Sequence, residues 1–239
     1  MKRGNPSPRC RWIAGFGGVA LVAGLLVWLR RRTGKATIQR RFWDVAYDRL
    51  ALLYDGVDWF TGNTTHRLRR RALPHLPPEG SRVLEIGFGS GKLHAELAER
   101  YAMAGLDRAP GMARLTERRL ESHGLTSELH VGDATALPWG DATFDAVLLI
   151  FAFSAFPDAE TAMDEMVRVV KPSGKLIIVD AGEAQDGNAM AHFLAQLWSA
   201  FGDYMRDEAP LMKAHGLTVT REDCGPWGCV HITVGAKPR

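Results

Sequence analysis

The run Val83-Leu84-Glu85-Ile86-Gly87-Phe88-Gly89-Ser90-Gly91 constrains the fold more than any other stretch of this chain. A short apolar segment ends on an acid and then breaks into three alternate glycines. The pattern predicts a buried parallel strand and a turn tight enough for backbone to approach a ligand. A helix starting at Lys92 would aim its free N–H groups at the same place.

From Arg82 onward, short apolar runs alternate with helical patterns. Strands are expected over Arg82–Ile86, Ala102–Leu106, Ser127–Val131, Phe144–Ile150 and Lys175–Val179. Helices are expected over Lys92–Arg100, Gly111–His123, Ala159–Val170 and Ala189–Tyr204. This alternation predicts an α/β fold, a doubly wound and mostly parallel sheet with helices on both faces. Its ligand would lie at the carboxyl ends of the strands. Leu217–Glu222 and Val230–Ala236 have no helix between them, so they predict a terminal antiparallel hairpin.

The glycine run also excludes ligands. A dinucleotide fingerprint needs a third small residue at position 92, which is Lys. A P-loop needs Ser or Thr after Gly91-Lys92, and Leu93 stands there. The remaining E-x-G-x-G-x-G pattern points to a nucleoside-type ligand. Three acids at successive strand ends fit one. Glu85 closes the first strand, near where an ammonium would sit. Asp107 follows the second and can accept from two ribose hydroxyls. Asp133, ahead of Ala134, follows the third and can accept from an exocyclic amino group.

The pieces VLEIGFGSG (83–91), GLD (105–107), GDATALP (132–138), FDAVLL (144–149) and FPDAETAMDEMVRVVKPSGKLIIVD (156–180) occur in this order. Together they resemble the class I S-adenosylmethionine-dependent methyltransferases. The likeness is to the group of ubiquinone/menaquinone C-methyltransferases and phospholipid N-methyltransferases. It implies a seven-stranded Rossmann-like sheet with S-adenosyl-L-methionine as cofactor. Gly87, Gly89 and Gly91 would approach the methionine part, and Glu85 its amino group. Asp107 would meet the ribose, and Asp133 and Ala134 the adenine. Backbone around Ile150–Phe153 would close over the sulfonium. Phe88 departs from the small residue common there and is expected to point away from the donor. The acceptor would meet the pre-core helix and the segments after strands four and five. Those segments hold Tyr47 and Tyr54, then Phe151, Phe153 and Phe156, then Asp180, His192 and Tyr204. Tyr47 and His192 are the candidate catalytic residues.

Ahead of this core, Trp12 to Leu29 is eighteen residues without a charge. Tryptophan stands at each end, where amphipathic rings prefer a membrane interface. The length predicts a transmembrane helix. Arg30-Arg31-Arg32 follow at once, where a cleavage site would need small residues, so an uncleaved anchor is expected. The expected domains are a basic tail at 1–11, the anchor at 12–29, a basic juxtamembrane and pre-core segment at 30–80, and the catalytic unit at 81–239. Residues 1–80 hold 15 Lys/Arg against 5 Asp/Glu, whereas the remainder is acidic. Basic residues are denser after the apolar run than before it. A single-pass protein with its catalytic domain facing the cytoplasm is therefore expected.

Within 42–55, apolar and aromatic residues recur at helical spacing, which predicts a helix carrying Tyr47 and Tyr54. Three cysteines, with Cys224 and Cys229 outside CxxC spacing, predict no metal site.

The expected activity is methyl transfer to a lipophilic acceptor, first an amino-phospholipid headgroup. C- or O-methylation of an isoprenoid quinone, or S/O-methylation of an apolar small molecule, is the alternative. A catalytically silent donor-binding scaffold on the membrane is a reading from another class. RNA as substrate would need the basic run at 66–71, but the core is acidic, so no nucleic-acid partner is expected.

Overall fold

The computed structural model describes residues 64–200 and 204–239. The basic tail, the apolar run at 12–29, the helix expected over 42–55 with Tyr47 and Tyr54, and Phe201 lie outside them. Among the described residues no helix is long and apolar enough to cross a membrane.

A short helix α1 (Thr64–Arg69) and a 3₁₀ turn (Arg70–His75) lead into the sheet. The sheet segment runs β1 (Arg82–Ile86), α2 (Lys92–Ala98), β2 (Ala102–Asp107), α3 (Pro110–Ser122), β3 (Glu128–Val131) and β4 (Phe144–Ile150). There follow α4 (Ala159–Val169), β5 (Val170–Ala181), α5 (Ala189–Ala200), α6 (Ala209–Ala214), β6 (Thr218–Cys224) and β7 (Val230–Ala236). The seven strands lie in the order β3-β2-β1-β4-β5-β7-β6, with only β7 antiparallel to its neighbours. The seven-stranded α/β sheet expected from the alternation is therefore present.

Burial explains the order. Along β4, Ala146 to Ile150 are all buried, as a central parallel strand covered on both faces must be. Alternate residues then feed two cores. Leu84, Val147, Leu149, Leu176 and Ile178 face α4 through Ala162, Met163 and Met166. Val83, Leu148, Ile150, Ile177 and Val179 face α2 and α5 through Leu93, Leu97, Ala191 and Leu194. The edge strand β6 instead alternates exposed and half-buried residues, and its charged Arg221, Glu222 and Asp223 blunt further pairing.

Three elements differ from expectation. β5 begins at Val170, directly after α4, rather than at Lys175. The residues between the expected helix and strand, Lys171 to Gly174, form an irregular start to the strand. Phe144 pairs with Val170 across a register shift, and Ser173, at φ +63, donates from its N–H to the Lys237 carbonyl. Tyr204 stands outside α5, its N–H donating to the Ser154 carbonyl at 2.7 Å. The six-residue α6 has Pro210 in its first turn and is too short to show a period in sequence.

Candidate active site

The strand order reverses between β1 and β4, where an open α/β sheet leaves a crevice at its carboxyl edge. The glycine turn sits there. Gly87, Gly89 and Gly91 have φ of +74, +56 and +72, the left-handed region that glycine enters without strain. Two of them are also tightly packed. A Cβ on Gly87 would lie 2.6 Å from the Ala152 Cβ, and one on Gly91 would lie 2.5 Å from the Thr116 Oγ1. Gly89 differs, because a Cβ there would meet no atom within 4 Å. The turn is thus pressed against α3 and the segment after β4, and it opens outward at Gly89.

Asp107 ties this turn to β2. The Gly89 N–H donates to its Oδ2 at 2.8 Å and the Ala109 N–H to its Oδ1 at 2.9 Å. Burial raises its carboxyl above the ordinary range, and these backbone donors oppose the shift. The Arg108 backbone adds a third donor, so the carboxylate keeps acceptor capacity for one more. From α3, Thr116 Oγ1 donates to the Gly89 carbonyl at 3.0 Å and Arg119 Nε to the Ser90 carbonyl at 2.9 Å. With its carbonyls held by α3, the turn has a defined shape before any ligand arrives.

Asp133 follows β3 on the same edge and is exposed. Its Oδ1 accepts from the Thr135 N–H at 3.0 Å and the Thr135 hydroxyl at 2.9 Å, while Ala134 is buried. Ile150 ends β4 and is buried. The next residue, Phe151, holds φ +53, uncommon for a non-glycine, and its N–H donates to the Val179 carbonyl. The 3₁₀ turn Phe153–Ala155 follows. Asp180, near the end of β5, clasps that turn, accepting from Ser154 N–H at 2.7 Å, Ser154 Oγ at 3.0 Å and Ala181 N–H at 2.8 Å. The structure therefore brings the glycines, Asp107, Asp133, Ala134, Ile150 and Asp180 to one edge.

Glu85 takes a more specific place than an acid beside an ammonium. It is buried, and its Oε2 lies 2.9 Å from His94 Nδ1. His94 Nε2 lies 2.8 Å from Ser127 Oγ, which itself donates to the Met103 carbonyl at 2.9 Å. His94 bridges Glu85 to Ser127, and the roles of its two ring nitrogens follow from its tautomer. One oxygen of Glu85 is thus committed to His94. Sequence reading missed His94, because a histidine between Leu93 and Ala95 resembles an ordinary helix residue. Phe88 points into the core, its ring 5.6 Å from that of His94, and Gly105 leaves room for both.

The acceptor-side candidates are less convergent. Phe153 is buried in the core beside α4, and Phe151 packs on the opposite core, so neither forms an open wall. His192 projects from α5 into solvent, its side chain 59% exposed and its Nδ1 2.9 Å from Glu183 Oε1. Tyr47 lies outside the described residues. Also missed was a buried pair at this edge, in which His231 Nε2 lies 2.9–3.0 Å from both Glu208 oxygens. Among the described residues no group of His, Cys, Asp and Glu is placed to hold a metal ion. Burial pushes the Cys229 thiol up to about 11 and raises that of Cys224 as well.

Asp180 carries a testable pH signature. Burial, with the Glu208 charge nearby, pushes its carboxyl up to about 6 against the donors from Ser154 and Ala181. The folded state then holds this proton more tightly than the unfolded chain does. The stabilisation it gives is complete below about pH 4 and is lost as pH rises through about 6. Asp180→Asn should remove a fall in stability on the order of 2 kcal/mol across that window. Urea midpoints measured from pH 4 to 7 check this, and an unchanged slope in the variant would assign the proton elsewhere.

Comparison with known proteins agrees with the geometry. Residues 84–178 match the family described as Methyltransferase domain. A demethylmenaquinone methyltransferase of Paenarthrobacter aurescens is 30% identical over 208 residues, covering 83% of this chain and 73% of the relative. A phosphatidylethanolamine N-methyltransferase of Cereibacter sphaeroides is 34% identical over 125 residues, covering 52% and 62%. For several curated relatives the chain spans little more than half their length, 54% in one case. Among solved structures, a phosphoethanolamine N-methyltransferase of Haemonchus contortus bound to S-adenosyl-L-methionine superposes with a TM-score of 0.63. It is 16% identical, with 74% of this chain and 53% of that one covered, and shows a shared fold. The chain belongs to the class I S-adenosylmethionine-dependent methyltransferases, and its cofactor is S-adenosylmethionine.

Proposed function

We propose that the chain is a membrane-anchored enzyme that transfers the methyl group of S-adenosylmethionine to a lipophilic acceptor, first an amino-phospholipid headgroup. The observation that carries the donor half is the turn at Gly89, open on one side and tied by its N–H to the Asp107 carboxylate. The residues fit the donor. Gly89 leaves space where a side chain would intrude, and the Asp107 carboxylate would accept from the ribose. Asp133, exposed after β3, would accept from the adenine amino group, and the Ile150–Phe153 segment would border the methyl-bearing end.

When bound, the donor supplies an activated methyl on a sulfonium, so the protein's task is alignment in a dry site. Asp180 contributes by fixing Ser154, and with it the turn after β4. An ammonium acceptor must shed a proton before it can attack. Tyr47 and His192 are the residues we assign to the acceptor.

The acceptor half rests on the uncharged run at 12–29, and the basic residues after it support a catalytic unit on the cytoplasmic side. The relative named phosphatidylethanolamine N-methyltransferase supports the amino-lipid reading. An isoprenoid quinone is the second reading, supported by the relative matched over 208 residues. Incubating membranes that contain the full-length protein with methyl-labelled donor, then extracting lipids, tests the proposal. Label in the lipid phase is expected. Label confined to water-soluble molecules contradicts the lipid assignment, and donor binding without turnover on lipids, quinones or thiols would make the protein a scaffold.

A further inference from the structure

Among the described residues five large apolar or aromatic side chains are exposed: Val131, Met190, Phe193, Tyr204 and Trp227. Their distribution is one-sided. Val131 ends the parallel strand β3 and so stands at the carboxyl edge of the sheet. Ala181, the end of β5, pairs with Val230, which pairs with Cys224, so the 225–229 turn that carries Trp227 shares that edge. The loop before α5 runs alongside it, because Gly182 N–H donates to the Cys229 carbonyl and Gln185 N–H to Asp223 Oδ2. Met190 and Phe193 stand three residues apart on α5, which packs against the Pro226–Gly228 turn. Tyr204 is tied to Ser154, on the same edge. Met190, Phe193 and Trp227 gather where α5 packs on the 225–229 turn, and Val131 stands at the opposite end of the same edge. An exposed apolar rim of this kind marks an interaction surface.

Trp227 makes the rim specific. It holds φ +54 between Gly225 and Gly228, a left-handed conformation costly for an aromatic residue, and it is 44% exposed. Strain of this kind persists where the surroundings or a function require it. Basic residues flank the rim. Leu68 of α1 lies against Gly225, which brings α1 to this edge, and the guanidinium of Arg71 acts on the Cys224 thiol. Arg67, Arg70 and Arg71 are exposed, Arg70 with Glu96 as partner at 3.2 Å. Acids lie here too: Asp207 and Asp223 share Arg221, Glu183 sits beside His192, and Asp186 and Glu222 are exposed. Arg206 lies 4.5 Å from the Tyr204 ring centre, a cation over an aromatic face at the rim.

We infer that the carboxyl edge docks directly on an anionic bilayer, with Trp227, Phe193 and Met190 in the interface and Arg67, Arg70 and Arg71 against phospholipid headgroups. This rests on the lipid-acceptor reading and deepens it, because the mouth of the donor site would then open onto the acceptor's own phase. Aromatic side chains favour the interfacial layer, and clustered Lys/Arg are drawn to anionic lipid. The run at 12–29 supplies the lipid within reach of this edge, since 34 residues separate Leu29 from Thr64.

Spin labels on the full-length protein in phosphatidylglycerol/phosphatidylcholine vesicles test this. Cys10→Ser removes the one cysteine outside the described residues, and Cys224 and Cys229 are buried with raised thiol pKa values. Labels go at Phe193→Cys, Trp227→Cys and, on the opposite edge, Glu79→Cys. The expected result is a ratio of oxygen to nickel-chelate collisions several-fold higher at 193 and 227 than at 79. A water-like ratio at all three sites, in protein that still floats with the vesicles, overturns the docking face and leaves the anchor standing. Shielding of 193 and 227 from both reagents also overturns it, since protein would then cover the edge. Protein that stays in the aqueous fraction overturns docking and anchor together.

Discussion

Asp107→Ala should weaken S-adenosylmethionine binding by about 3 kcal/mol, roughly a hundredfold in Kd. The carboxylate does two things that alanine cannot. It offers its remaining acceptor capacity to the ligand, and it fixes the Gly89 and Ala109 N–H groups at 2.8 and 2.9 Å. Hydrogen bonds to a charged group contribute more than neutral ones, and the two orphaned N–H groups would loosen the turn further. Asp107→Asn is expected to lose binding as well, because its amide would turn a donor toward one of those N–H groups. Calorimetry with S-adenosylmethionine or its demethylated product checks both variants. Unchanged affinity in folded protein would remove Asp107 from the donor site.

The second large effect separates two glycines that look alike in sequence. Gly91→Ala should destabilise the fold by about 2–4 kcal/mol, combining left-handed strain with overpacking against Thr116. The new methyl carbon would lie 2.5–2.8 Å from three Thr116 side-chain atoms. Gly89→Ala meets nothing within 4 Å, so it should cost only about 1–2 kcal/mol from its φ of +56. Its methyl group would instead project into the space assigned to the donor, and affinity should fall at least about tenfold, or about 1.4 kcal/mol. Thermal unfolding and calorimetry on the two variants check the contrast. Equal stability losses, with donor binding intact in Gly89→Ala, would contradict the assignment of Gly89 as the open side of the cradle.

The parts of the fold legible in sequence are those set by local pattern. Parallel strands buried on both faces need apolar runs, and Val83-Leu84 in β1, Ala146–Ile150 in β4 and Leu176–Val179 in β5 supply them. A left-handed turn favours glycine, so Gly87, Gly89 and Gly91 announce themselves. Acids at strand ends come to one edge once the strands are known to be parallel, which made Asp107 and Asp133 readable. The rest depends on partners distant in sequence. His94 matters because Glu85 and Ser127 lie on either side of it, and nothing within Lys92–Ala98 shows that. Asp180 was readable as a strand-end acid, but its clasp on Ser154 spans 26 residues. The Glu208–His231 pair, and β5 starting at Val170, likewise arise from contacts that no periodicity records. His192 shows the converse. Its helix and position were expected, yet its solvent-facing direction and its Glu183 partner follow from how α5 packs.

The most direct test of the account is the fate of the methyl group. Full-length protein would be placed in vesicles holding both phosphatidylethanolamine and a demethylated isoprenoid quinone, and supplied with donor carrying a deuterated methyl. Lipid mass spectrometry then reads the acceptor. The account predicts deuterated methyl on the phosphatidylethanolamine headgroup, with Asp107→Ala abolishing most of the signal. Deuterium on the quinone alone, or in neither lipid while the donor is bound, would contradict it.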